Sequence, residues 1–188
     1  MTRSNDAYAW TAHYNVSRPY SVNGLNQYTV AGGTSFGYDA NGNLTSDGAS
    51  AFTYDVENRL ISASGAKTAG LRYDPLGRLY ETTGTAGTTR FLYDGDELVA
   101  EFDVSGTLLR RYVHGSSVDD PVLWYEGSGT TAPRWLHTDN QGSVVAITDA
   151  SGTSIATNRY DEYGIPQATN IGRFQYTGQA WIPELGMY

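Results

Sequence analysis

Apolar positions along this chain come in short runs that alternate with polar ones and are soon interrupted by Gly, Asn or Asp. Ala51-Phe52-Thr53-Tyr54 is representative. Side chains alternate faces along a strand, so Phe52 and Tyr54 share one side. Val122-Leu123-Trp124-Tyr125 reads as another strand, opened by the turn Asp119-Asp120-Pro121. Apolar residues at the 3.6 spacing of a capped helix are hard to find. The pattern predicts an all-β protein built from about ten short antiparallel strands.

A repeat orders these strands. Tyr38-Asp39-Ala40-Asn41-Gly42-Asn43-Leu44 is followed by Tyr54-Asp55-Val56-Glu57-Asn58-Arg59-Leu60, then Tyr73-Asp74-Pro75-Leu76-Gly77-Arg78-Leu79 and Tyr93-Asp94-Gly95-Asp96-Glu97-Leu98. The tyrosines are 16, 19 and 20 residues apart. Tyr160-Asp161-Glu162-Tyr163-Gly164-Ile165 is a later copy, and looser ones begin at Phe102-Asp103 and Thr148-Asp149. Each copy reads as a β-hairpin. The tyrosine closes the incoming strand, and the aspartate carboxylate takes backbone N–H groups of the turn. Gly42, Gly77 and Gly106 supply positive φ, with Asn58 in the equivalent place. Leu44, Leu60 or Leu79 then starts the return strand and packs near the tyrosine. Ala31–Thr34, Ser62–Gly65 and Thr82–Gly87 read as the opposite turns of a meander.

Composition narrows the function classes. Twenty acids against 12 bases, with the arginines scattered singly apart from Arg110-Arg111, give no basic patch for a nucleic-acid partner. No apolar run approaches the roughly 20 residues that span a bilayer, which argues against membrane insertion. The N-terminus lacks the apolar core of a signal peptide. Without cysteine there is neither a disulfide framework nor a thiolate metal site, and the redox compartment stays open. Disorder fails on the 13% aromatic content.

The Tyr-Asp-x-x-Gly-x-Leu series resembles the YD repeats of the Rhs family, whose eukaryotic relatives include the teneurins. Further elements follow in the family's order. Trp135-Leu136-His137-Thr138-Asp139-Asn140-Gln141-Gly142-Ser143 is similar to its His-x-Asp-x-x-Gly-Ser segment, and Arg159–Gly164 to its Tyr-Asp-x-Tyr-Gly. Phe174, Gly178 and Gln179, with Glu184–Tyr188, resemble the opening of the Rhs-associated core. The resemblance implies antiparallel hairpin repeats that form a curved strip or part of a spiral shell, which encloses a C-terminal toxin. It divides the chain into divergent leading strands at 1–30, YD hairpins at 31–113, and further hairpins with the start of the core at 114–188. It also implies that the chain stops before the paired aspartates of the family's self-cleavage segment. Asp74-Pro75-Leu76-Gly77-Arg78 is only superficially like that segment, since it sits inside a repeat. The implied role is structural and non-enzymatic, with no cofactor. The partners are the remainder of the shell or the enclosed toxin, and the full-length context is secreted or cell-surface.

On this reading Tyr38, Tyr54, Tyr73, Tyr93 and Tyr160 are packing residues. Asp39, Asp55, Asp74, Asp94 and Asp161, with Gly42, Gly77 and Gly164, set turns. His137, Asp139, Gly142, Ser143, Phe174, Gly178 and Gln179 are core-motif residues. Other chemistry finds less support. Asp39 to Asp47 places oxygens at alternate positions, yet glycine stands fourth and Ser50 twelfth, unlike a calcium loop. His13, His114 and His137 lack metal-ligand spacing. His137, Asp139 and Ser143 form a hydrolase triad only on paper. Asp119-Asp120 and Asp94/Asp96 are better turn residues than acid-base pairs. Neither a Walker sequence nor a dinucleotide fingerprint occurs. Exposed tyrosines and tryptophans leave room for a glycan ligand, although aromatic rows on sheets mostly pack across strands. Unpaired sheet edges leave room for a homo-oligomer or fibre.

Overall fold

The computed structural model describes residues 17–188. His13 and the first half of the predicted leading segment lie outside the described residues. Three strands, β1 (Tyr20–Val22), β2 (Tyr28–Ala31) and β3 (Thr34–Ser35), form a small sheet of their own. A second sheet has 13 strands. It runs through β4 (Gly37–Tyr38), β5 (Leu44–Ser46), β6 (Ser50–Tyr54), β7 (Leu60–Gly65), β8 (Ala69–Tyr73), β9 (Leu79–Gly84), β10 (Gly87–Asp94) and β11 (Glu97–Asp103). It continues through β12 (Leu108–His114), β13 (Pro121–Glu126), β14 (Pro133–Thr138), β15 (Val144–Thr148) and β16 (Ser154–Thr157). Each strand neighbours those next to it in the sequence, and the ladders between them are antiparallel. Among the described residues the sheet is open, with β4 and β16 at its edges. The only helical piece among the described residues is a 3-10 turn, Tyr176–Gly178.

The described residues form sixteen strands against the ten expected, and two of the expected turns are largely strand. Ser62–Gly65 is not a turn but half of β7, where Ala63 lies buried opposite Phe52. Thr82–Gly84 and Gly87 are likewise strand, leaving only Thr85-Ala86 as the turn. Small polar residues resemble a loop in sequence, yet they pair well where a large neighbour fills the core face. β3 and β4 are two residues long, below what periodicity detects.

A β-bulge recurs after the turns. Tyr54 pairs with Leu60 but Thr53 pairs with Ser62, so Ile61 is extra. The same offset makes Thr45, Tyr80, Val99, Leu109, Val145 and Ile155 extra in their hairpins. An inserted residue bends the strand and shifts its faces by one position. Tyr73 and Leu79 therefore face each other while Arg72 still meets Glu81.

The chain makes two compact units, one of residues 17–111 with 182–188 and one that includes 112–181. In the first, Phe52, Ala63, Ala69, Leu71, Ile182 and Leu185 form the buried cluster. Leu44, Tyr54, Leu60, Tyr73 and Leu79 pack against it. Two buried glutamates are paired across strands. Glu81 takes Arg90 Nε at 2.9 Å and lies 3.5 Å from Arg72. Glu101 has Arg110 at 3.3 Å. Such partners offset much of the cost of burying a carboxylate.

The second unit buries Leu123, Trp124, Leu136, Val144, Ile147, Tyr160 and Phe174. Phe174 stands edge-on to Tyr112 and His114, with ring centres 4.9 and 5.1 Å apart. Close backbone approach replaces side-chain packing at several glycines, Gly164 and Gly178 among them. A Cβ on Gly164 would lie 2.4 Å from the Tyr176 ring, and one on Gly178 would lie 2.0 Å from the Asp119 carbonyl. Gly77 has the same positive φ, +83°, but nothing within 4 Å. Gly77→Ala is expected to cost about 1–2 kcal/mol of left-handed strain. Gly178→Ala adds a backbone overlap and is expected to cost more than about 4 kcal/mol. Urea melts of the two variants measure the difference, and equal losses would refute the close-packing assignment.

Candidate functional site

The repeated hairpin turn carries the polar chemistry of the chain. Asp39 Oδ1 accepts the Asn41 and Asn43 N–H groups at 2.9 and 2.8 Å. Asp55 takes Glu57 and Arg59, and Asp74 takes Leu76 and Arg78, all at 2.9 Å. Asp103, Asp139, Asp149 and Asp161 repeat the arrangement with the N–H groups two and four residues on. In each, the aspartate N–H also donates to the carbonyl four residues on, and its own carbonyl accepts from the residue three on. That residue has positive φ and is Gly42, Gly77, Gly106, Gly142, Gly152 or Gly164, with Asn58 at φ 61° as the exception. Asp94 departs from the expected repeat. Its turn is only Gly95-Asp96, and Asp94 pairs directly with Glu97. Dropping the residues after the aspartate removes the N–H groups that its carboxylate would have caught.

The tyrosine hydroxyls tie one hairpin to the one before. Tyr54 donates to the Leu44 carbonyl at 3.0 Å, Tyr73 to Leu60 at 2.8 Å and Tyr93 to Leu79 at 2.9 Å. Tyr160 donates to Val144, which holds the leucine position of the His137–Ser143 segment, at 2.7 Å. Tyr38 reaches the Tyr28 carbonyl at 2.9 Å. The expectation that leucine merely packs near tyrosine missed this bond, because a backbone acceptor leaves no mark in sequence. The residue between Gly and Leu adds a second tie. Arg59 chelates Asp55 Oδ2 at 2.8 and 2.7 Å and lies 5.1 Å from the centre of the Tyr73 ring. Arg78 does the same with Asp74 and Tyr93. Asn43 instead links Asp39 to Asn58, at 2.9 Å each.

The core-motif residues are drawn into the same scaffolding. His137 is exposed, with Nε2 3.0 Å from Thr148 Oγ1. Asp139 is occupied by its turn, and buried Ser143 accepts the Thr177 N–H at 3.1 Å. These contacts point the three apart from any triad. Gln179 closes the 3-10 turn, its N–H donating to the Tyr176 carbonyl. Asp47 of the candidate calcium stretch is bound by Lys67 Nζ at 2.9 Å. Among the described residues no group of three or more His, Asp or Glu is placed to hold a metal ion. No described helix is long and apolar enough to cross a membrane.

Hydrogen bonding shapes the titration. The Asn43 side chain leads the interactions that hold Asp39 below the ordinary 3.8. The Arg59 N–H leads at Asp55, and the Ser105 and Ser151 hydroxyls lead at Asp103 and Asp149. At Asp74 burial pushes upward, but the bonds from Arg78 and Leu76 outweigh it. Burial raises Tyr54 and Tyr73 above their ordinary 10.0, keeping the hydroxyls protonated and donating. Depressed aspartates stabilise the fold above their ordinary value of 3.8. That contribution is lost as pH falls through the lower folded values. Thermal midpoints should therefore be flat near neutrality and fall steeply below pH 3.8, and Asp55→Asn should blunt the fall. A midpoint that rises on acidification would refute the assignment. Tyr73→Phe leaves the Leu60 carbonyl without its donor and is expected to cost about 1 kcal/mol in urea melts. Tyr80→Phe, on an exposed ring, should cost nothing measurable.

Comparison with known proteins agrees with this architecture. A family model described as Teneurin YD-shell matches residues 5–170. The chain is 32% identical over 180 residues to the tRNA3(Ser)-specific nuclease WapA of Bacillus spizizenii, covering 89% of this chain and 8% of that protein. It is 29% identical over 216 residues to double-stranded DNA deaminase toxin A of Burkholderia cenocepacia, covering 92% and 15%. The chain thus spans a small part of the length of either relative. In fold it resembles a chain of the Photorhabdus luminescens Tc holotoxin pore structure, with a TM-score of 0.60 at 14% identity over 89% of this chain and 11% of that one. A chain of the TcdB2-TccC3-TEV structure gives 0.54 at 13% identity, covering 89% and 11%.

Proposed function

The chain belongs to the teneurin YD-shell family, and on that premise we propose that it is a non-catalytic wall segment of a shell that encloses a C-terminal toxin or effector. The observation that carries this reading is the run of tyrosine-to-carbonyl bonds, which spends the repeat's most characteristic side chain on joining one hairpin to the next. The turn aspartates and their arginines are consumed in the same way. A surface whose polar groups are committed to one another suits a wall better than a reaction site. WapA and the deaminase toxin are named for activities on nucleic acid. This acidic chain, matching only a fraction of each, fits the part that contains such an activity rather than the part that performs it.

In this role residues 31–113 are the YD hairpins, and 114–188 are further hairpins and the start of the core. His137, Asp139, Gly142 and Ser143 set a turn, while Phe174, Gly178 and Gln179 fix the last one. The open edges at β4 and β16 are where flanking shell segments pair. The full-length protein acts outside the cell or at its surface. Protease protection tests the reading. In the full-length polypeptide that carries this segment, the effector should resist a protease that cuts exposed linkers, and Tyr54→Ala with Tyr73→Ala should expose it. An effector digested freely in the wild type, or nuclease turnover by residues 1–188 alone, would sink the proposal.

A further inference from the structure

The buried cluster of the first unit is completed from far away in sequence. Phe52, Ala63, Ala69 and Leu71 supply a face of β6, β7 and β8, and Ile182 and Leu185 cover it. The covering segment is folded on itself. Ile182 N–H donates to the Met187 carbonyl at 2.8 Å, and the Leu185 and Gly186 N–H groups return to the Ile182 carbonyl at 3.0 and 2.9 Å. These main-chain bonds are internal to the segment, and its Ile182 and Leu185 side chains enter the apolar cluster of the sheet.

Its seat is a missing side chain. Gly84, the last residue of β9, has a φ outside the left-handed region, so its backbone does not demand glycine. A Cβ there would nevertheless lie 2.4 Å from Glu184 Cγ and 3.2 Å from Glu184 Cβ. The seat is also imperfect. Glu184 Oε2 is buried with no hydrogen-bond partner, and so is Thr82 Oγ1, two residues before Gly84 on the same strand. A buried unsatisfied polar atom costs on the order of 1–3 kcal/mol, more when charged, which offsets part of what the apolar contacts contribute.

We propose that this face of β6 to β9 is a peptide-docking groove whose resident ligand is the strap Ile182–Tyr188. The strap is detachable, and when it leaves, the groove accepts in trans a short peptide of the same chemistry: apolar, proline, acid, apolar, glycine, apolar. Glycine at position 84 is the specificity determinant, because it leaves room for the acidic side chain. The apolar residues supply the affinity.

The full 188-residue chain tests this with two variants and labelled synthetic peptides of residues 181–188. Gly84→Ala fills the seat of Glu184. Gly70→Ala, whose Cβ would lie 3.9 Å from Thr83 Cβ, is the control. In Gly84→Ala the Leu185 and Gly186 amides should exchange at least about tenfold faster, since so short a segment holds no structure undocked. The β6–β8 amides and the control should be unchanged. The Gly84→Ala chain should bind the labelled peptide carrying Glu184→Ala and reject the wild-type peptide, while the wild-type chain, its groove filled, should bind neither appreciably. Unchanged strap exchange, or strap release without binding of the Glu184→Ala peptide, would overturn the proposal. If Gly84→Ala does not fold, Leu185→Asp ejects the strap without touching the groove. That chain should bind the wild-type peptide, and failure to do so with β6–β8 still protected is equally fatal.

Discussion

Everything in this fold depends on how a strand reverses. A hairpin mouth leaves main-chain N–H groups with no strand to donate to, and an isolated two-stranded hairpin is marginal in water. One aspartate oxygen takes two of those groups in seven separate turns, from Asp39 to Asp161. Because the carboxylate fixes where the chain reverses, it fixes the register of the return strand. Register places tyrosine opposite leucine, and that pairing brings the hydroxyl to the preceding hairpin's carbonyl. The bulge completes the sequence of causes, since without the extra residue Leu79 and Glu81 would share a face.

The same logic explains what was legible in the sequence. Tyr-Asp-x-x-Gly-x-Leu is a local instruction, and the all-β class, the turn aspartates and Asn58 in a glycine's place were all readable from it. Nothing local marks a backbone carbonyl as an acceptor, so the tyrosine ties were unreadable, though a preference for tyrosine over phenylalanine hinted at a working hydroxyl. The bulges were hidden for a related reason: Ile61 and Tyr80 look like ordinary strand residues, and only the partner strand shows that one of them is extra. Ser62–Gly65 reads as a turn yet forms strand, because small polar residues carry opposite meanings in a loop and beside a buried Phe52. Asp94 shows the converse, a motif that matches by eye while a shortened turn removes its chemistry.

The core-motif residues were legible as residues but not as partners. His137, Asp139 and Ser143 sit within seven positions and invite a catalytic reading. Ser143 instead reaches 34 residues ahead to Thr177, and His137 reaches across the ladder to Thr148. Ser143 is buried and accepts the Thr177 N–H, a partner that only the fold reveals.

A sheet in which each strand touches only its neighbours in the chain has a kinetic character as well as a static one. Contacts of short sequence separation form fast, and a hairpin array can close progressively as the chain emerges or is drawn through a narrow passage. It can also be pulled apart strand by strand, without the all-at-once failure of an interleaved sandwich. Phe174 against Tyr112 and Thr177 against Ser143 depart from that order, and the final seven residues depart further. Their partners lie over a hundred positions back, so they close a long loop. Their docking is expected to come late in folding.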